Sequence, residues 1–187
     1  MPAGLLESDR PMTFQGHKGF TLVELLIVVA VIAILAAIAI PGMLRARIQG
    51  NEASAIGSMR TINSAQVTFA ATCGGGGYDI SAAADGLSTP PTIGSPPFIP
   101  TDVADAFDGM PKSGYTFALA DDPGGSEDVL PADICASGVP TVTSFFATGE
   151  PDDVGLTGVR HFACDSSGSM RQHVLPLADM TAGIALQ

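Results

Sequence analysis

Sixteen consecutive apolar residues, 25–40, follow a single carboxylate, Glu24, and no other feature restricts the fold of the chain so strongly. From residue 20 to residue 44 that carboxylate is the one formal charge. A helix of this stretch would be about 37 Å long at 1.5 Å per residue, enough to cross a hydrocarbon layer of about 30 Å with some tilt. A secretory signal has a shorter apolar region, about 7 to 15 residues, ending at a small-residue cleavage site. Here the run continues through an Ala-rich end into Pro41 and a second helical pattern. A buried core helix would need protein on every side, and the remaining chain is too polar to supply it. The stretch therefore reads as one membrane span.

The flanks extend this reading. Residues 1–19 contain Glu7, Asp9, Arg10 and Lys18 with no periodic apolar pattern, as expected of a short cytoplasmic segment. Lys18 beside the span favours that side, although Arg45 and Arg47 beyond it weaken the bias. After the span, Leu44, Ile48, Ala55, Met59, Ile62, Ala65 and Phe69 recur at helical intervals, with Arg47, Asn51, Glu52, Ser58, Arg60 and Asn63 placed elsewhere around the helix. One helix from residue 20 to about residue 71 is expected, with a hinge at Pro41 and Gly42 where a backbone hydrogen bond is lost. Gly50 and Gly57 lower helix propensity but permit close helix–helix approach.

Four glycines, 74–77, end the helix. Residues 79–114 are rich in Pro, Gly, Ser and Asp and read as a long surface loop with a short helical turn near residues 101–107. Strand patterns follow at 115–120, 141–147, 160–164 and 169–174, the last two joined by a tight turn at 165–168. The expected fold is α+β: a long N-terminal helix packed against a small antiparallel sheet of three to four strands.

At the start of the span, Gly19-Phe20-Thr21-Leu22-Val23-Glu24-Leu25-Leu26 resembles the N-terminal signal of type IV pilins and type II secretion pseudopilins. Shorter stretches at 112–117 and 162–168 resemble pilin-like head regions. The resemblance implies cleavage by a prepilin peptidase between Gly19 and Phe20, N-methylation of Phe20, and an assembly role for Glu24. A carboxylate inside hydrocarbon costs about 2.5–3.5 kcal/mol on insertion scales and so calls for a partner. The family's partner is the Phe20 amine of an adjacent subunit; the alternative is the amine of the same chain. The implied organisation is a cleaved leader (1–19), a transmembrane and assembly helix (20–44), its amphipathic continuation (45–72) and a globular head (73–187). The implied function is a structural subunit of a type IV pilus-like helical homopolymer serving adhesion, motility or secretion. Its implied partners are the peptidase, the inner-membrane assembly machinery and, before assembly, the membrane itself. The chain would be an inner-membrane precursor with its head outside the cytoplasm, then a surface filament. A type II secretion pseudopilin is the alternative, and a non-polymerising, membrane-anchored binding module is the alternative of another class.

No enzyme, metal or cofactor pattern is present. His17, His161 and His173 are scattered, with no His-Glu-x-x-His, nucleophile elbow or paired Cys-x-x-Cys, and His161 and His173 are expected at the surface. Asp121, Asp122, Glu127, Asp128, Asp152 and Asp153 lack calcium-loop spacing and read as solvated acidic loops. Cleavage after Gly19 would remove two acids and two bases from 19 and 8, leaving 17 and 6 and a net charge still at −11. That balance argues against nucleic acid as a partner. Three cysteines allow one intramolecular disulfide in an oxidising compartment. Cys73 with Cys135 is the expected pair, since both lie in adjustable Gly- or Pro-rich surroundings; Cys135 with Cys164 is the alternative.

Overall fold

The computed structural model describes residues 19–92, 94–129 and 138–186. The chain divides into two compact units, Met1–Pro41 and Gly42–Gln187. Helix α1 is assigned over Leu22–Thr72, with Pro41 inside it. In the first unit the described residues are exposed apart from the partly covered Ala36. This part of α1 is long and apolar enough to cross a membrane. Such a helix, apolar all round, needs lipid or other protein to cover it.

In the second unit the sequence periodicity of α1 is expressed as a core face. Ala55, Met59, Ile62, Ala65 and Phe69 are buried, whereas Leu44 stays exposed. Glu52, Ser58 and Gln66 are also buried, so the polar residues are not all on the outer side as the pattern implied. The glycine run ends the helix by close approach: a Cβ on Gly74 would lie 2.0 Å from the Gly77 carbonyl oxygen. Strand β1 (Tyr78–Asp79) and two short turns, α2 (Asp85–Ser88) and α3 (Thr101–Ala104), follow.

The remaining strands are β2 (Tyr115–Asp121), β3 (Thr141–Val142), β4 (Phe145–Pro151), β5 (His161–Asp165), β6 (Met170–His173) and β7 (Ile184–Ala185). They form an antiparallel five-stranded sheet in the order β2-β4-β5-β6-β7 and a separate β1-β3 ribbon. The α+β class is as expected, with more strands than the sequence suggested. The apolar run at 141–147 is two strands, because Thr143 donates its N–H to the Glu127 carbonyl and the chain passes from one sheet to the other.

One face of the large sheet contributes Tyr115, Phe117, Leu119, Phe145, Ala147, Phe162 and Cys164 to the same core as α1. Its opposite face carries Phe146 and Ala163, covered by Leu177 from the segment after β6, with Met180 packed against them. Residues 79–114 are not purely surface: Ala84, Leu87, Ile99, Val103 and Ala106 are buried in the main core. They are scattered at irregular spacing among Pro, Gly and polar residues, so no periodicity marks this contribution.

Candidate functional site

Gly19 and Phe20 precede the helix, and both are exposed, Phe20 to 85%. A Cβ on Gly19 would meet nothing within 4 Å, so nothing in the described fold requires glycine there. Thr21 and Glu24 close a reciprocal cap on α1. The Thr21 amide donates to Glu24 Oε2 at 3.2 Å, its hydroxyl donates to the same oxygen at 3.0 Å, and the Glu24 amide donates to Thr21 Oγ1 at 3.2 Å. This is a capping box, in which two helix-terminal N–H groups are satisfied by side chains three residues apart. Thr21 escaped the sequence reading of the site, though Thr-x-x-Glu ahead of an apolar run is a recognisable signal for it. The cap engages one carboxylate oxygen of Glu24 and gives a polar group at the head of an apolar helix a partner within its own chain.

The other expected site residues are not gathered around this point. Pro41 and Gly42 lie within α1, and a Cβ on Gly42, Gly50 or Gly57 would meet nothing within 4 Å. Cys73 is buried just past the end of α1, where its N–H donates to the Phe69 carbonyl at 2.7 Å. Cys135 lies outside the described residues. Cys164 is a free, buried thiol, and burial, aided by Asp165, pushes its pKa up to about 12.

Two buried carboxylates, Glu52 and Asp79, tie segments of the second unit together, and neither is recognisable from local sequence. Glu52 Oε1 accepts the N–H groups of Val159 at 3.0 Å and Arg160 at 3.2 Å, while Oε2 accepts Arg160 Nε at 2.8 Å and pairs with Nη2 at 2.6 Å. Burial pushes this carboxyl up, but the donors of Arg160 and Val159 outweigh it and its pKa is lowered. Asp79 is fully buried and takes four donors: the Ser81 N–H and hydroxyl on Oδ1, and the Gly86 and Leu87 N–H groups on Oδ2. Burial raises its pKa against those hydrogen bonds. Gln66 joins it to α1 by exchanging hydrogen bonds with the Asp79 backbone at 2.6 and 2.9 Å.

His161 and His173 are opposite each other on β5 and β6, but His161 is buried, not at the surface as its isolation in the sequence implied. A strand flanked on both sides and covered after β6 leaves no exposed position there. Asp121, Glu127, Asp128, Asp152 and Asp153 are exposed. Among the described residues no group of three or more His, Cys, Asp or Glu side chains is arranged to hold a metal ion.

An apolar helix headed by Gly19, an exposed Phe20 and a capped Glu24, followed by an α+β unit, defines a chain with a prepilin-type N-terminus. Residues 15–40 match the prokaryotic N-terminal methylation motif. The chain is 43% identical over 53 residues to the type IV major pilin protein PilA of Myxococcus xanthus, covering 28% of this chain and 24% of that protein. It is 66% identical over 35 residues to the type IV wide pilus major component PilA4 of Thermus thermophilus, covering 19% of this chain and 27% of that protein. The chain thus matches these curated relatives over about a quarter of their length. No solved structure matches it.

Proposed function

We propose that the chain is a non-enzymatic structural subunit of a type IV pilus-like filament, made as a membrane-anchored precursor and cut by a prepilin peptidase between Gly19 and Phe20. The observation that carries this reading is the methylation motif at residues 15–40, placed on a helix whose apolar side chains have no cover within their own unit. The open space around Gly19 fits the same reading: if the fold does not need glycine, a peptidase approaching the backbone does. Phe20 is then the methylated N-terminal residue. Glu24 exchanges its cap for the Phe20 amine of a neighbouring subunit, which neutralises both charges in the apolar layer. Gly50 and Gly57, also open, allow helices to approach closely in the filament, and Pro41 with Gly42 supplies the hinge.

Cys73 pairs with Cys135 in the exported head, a reading supported by the enclosure of Cys164 as a free thiol. Adhesion, motility and secretion are the roles such a filament serves, through inner-membrane assembly machinery. The acidic charge balance argues against nucleic acid as its ligand.

Competition tests the assembly role. When Glu24→Gln is co-produced with the wild-type chain, it should reach the membrane at equal level but be depleted from sheared surface filaments, read by peptide mass spectrometry. Equal incorporation of the two forms would refute the role given to Glu24.

A further inference from the structure

The loop between β4 and β5 is hydrogen-bonded within itself and has an exposed apolar tip. Val154, Leu156 and Val159 are 60%, 53% and 41% exposed, three apolar side chains within six residues of an acidic head. The loop is closed by its own backbone: Gly155 donates to the Gly158 carbonyl at 2.7 Å, and Leu156 and Thr157 donate to the Asp153 carbonyl at 3.1 and 2.9 Å. It is fastened to α1 by Asn51, whose amide donates to the Thr157 carbonyl at 2.8 Å, and by the Glu52 contacts to Val159 and Arg160. A preformed tip of this kind loses little conformational entropy when it docks.

A cleft lies further along α1 on the same unit. It has a volume of about 520 Å³ and runs between α1, at Arg60, Ser64 and Thr68, and the segment Pro96-Pro97-Phe98. Its floor is fixed, since Phe98 packs edge-on against Phe69 at 5.7 Å. The two surfaces also carry charges of opposite sign. Lys112 is paired with Asp102, Arg160 with Glu52, and Arg171 donates to the Gly183 carbonyl. Arg60, like Arg45 and Arg47 lower on α1, is exposed with no ion pair among the described residues, and the same holds for the carboxylates of Asp152 and Asp153 beside the apolar tip. Between copies carrying a net charge of −11, an unpaired cation facing two unpaired carboxylates is one of few attractive contacts available.

We infer that the β4–β5 loop of one subunit seats in the Arg60–Phe98 cleft of a second copy of this chain, with Val154 and Leu156 entering the cleft and Asp152 or Asp153 meeting Arg60. The inference rests on the filament reading above and names the surfaces that join the heads. Loop and cleft stand at different heights: from Asn51, where the loop is fastened, to Ser64 is 13 residues, about 20 Å of helix rise. Two different surfaces offset along one axis make a head-to-tail contact, which builds open helical assemblies instead of closed pairs.

The test uses the full chain in sheared surface filaments. Leu156→Cys and Ser64→Cys together should give a disulfide-linked ladder of subunits on mild oxidation, while either substitution alone should not. Arg60→Asp should reduce filament yield about tenfold at unchanged membrane level of the chain, with recovery when Asp153→Arg is added. Normal filaments with no ladder from the double cysteine variant would overturn the docking and leave the filament reading intact. Absence of filaments from the wild-type chain would overturn both.

Discussion

Replacing Glu52 with Ala removes the acceptor that ties α1 to the start of β5. Four donors lose their partner: two backbone N–H groups, of Val159 and Arg160, and two guanidinium nitrogens of Arg160. Breaking a fully buried ion pair costs about 3–5 kcal/mol. Glu52 meets that description at 5% side-chain exposure, but Arg160 at 37% can recover water, so the expected loss is discounted to about 2–3 kcal/mol. For a chain of this size each kcal/mol shifts the melting temperature by about 2–4 °C, giving a fall of about 4–12 °C.

The assay is thermal unfolding of the detergent-solubilised full chain at pH 7, followed by near-UV circular dichroism. Glu52→Gln should fall between the two, since it keeps an acceptor for the backbone but turns an amide group toward a guanidinium. Because the folded pKa of Glu52 is lowered, its contribution is complete above the ordinary value of 4.5 and fades as pH falls through the folded value. The gap between wild type and Glu52→Ala should therefore narrow in strong acid. A fall below about 2 °C at pH 7, or a gap that widens on acidification, would show that the Glu52–Arg160 contact does not stabilise this junction.

Gly158→Ala should destabilise the same region severely, because the new Cβ would lie 2.0 Å from the Tyr115 hydroxyl, which donates to the Arg160 carbonyl at 2.8 Å; a melting temperature equal to wild type would contradict this packing. Cys164 should resist iodoacetamide in the folded chain and react on denaturation, since burial pushes its thiol pKa up to about 12; rapid native alkylation would be evidence against its enclosure. Non-reducing peptide mapping of exported protein should find Cys73 linked to Cys135, and a Cys135–Cys164 peptide would show that assignment to be mistaken.

The parts of this chain that were legible in its sequence share one property: each depends on neighbours along the chain. The apolar run at 25–40, the stripe through Met59, Ile62 and Phe69, and the turn at 165–168 are local patterns with a single physical reading. The N-terminal methylation motif belongs with them, because Gly19, Phe20 and Glu24 lie within six residues. What escaped depends on residues distant in sequence. Glu52 looks like any exposed helical carboxylate until Arg160 is brought against it from 108 residues away. Asp79 looked like a loop carboxylate because the backbone donors that surround it exist only once residues 81–87 have turned back over it. β7 is two residues long and is defined by its pairing with β6, not by any alternation of its own.

In the proposed maturation, residues 1–19 are removed and Phe20 becomes a methylated, intramembrane N-terminus available to Glu24 of the next subunit. Intact mass spectrometry of subunits from sheared surface material measures it directly. The predicted species begins at Phe20 and carries one added methyl group on its amine. A surface-borne chain that still begins at Met1, or one cut at another bond, would contradict this maturation.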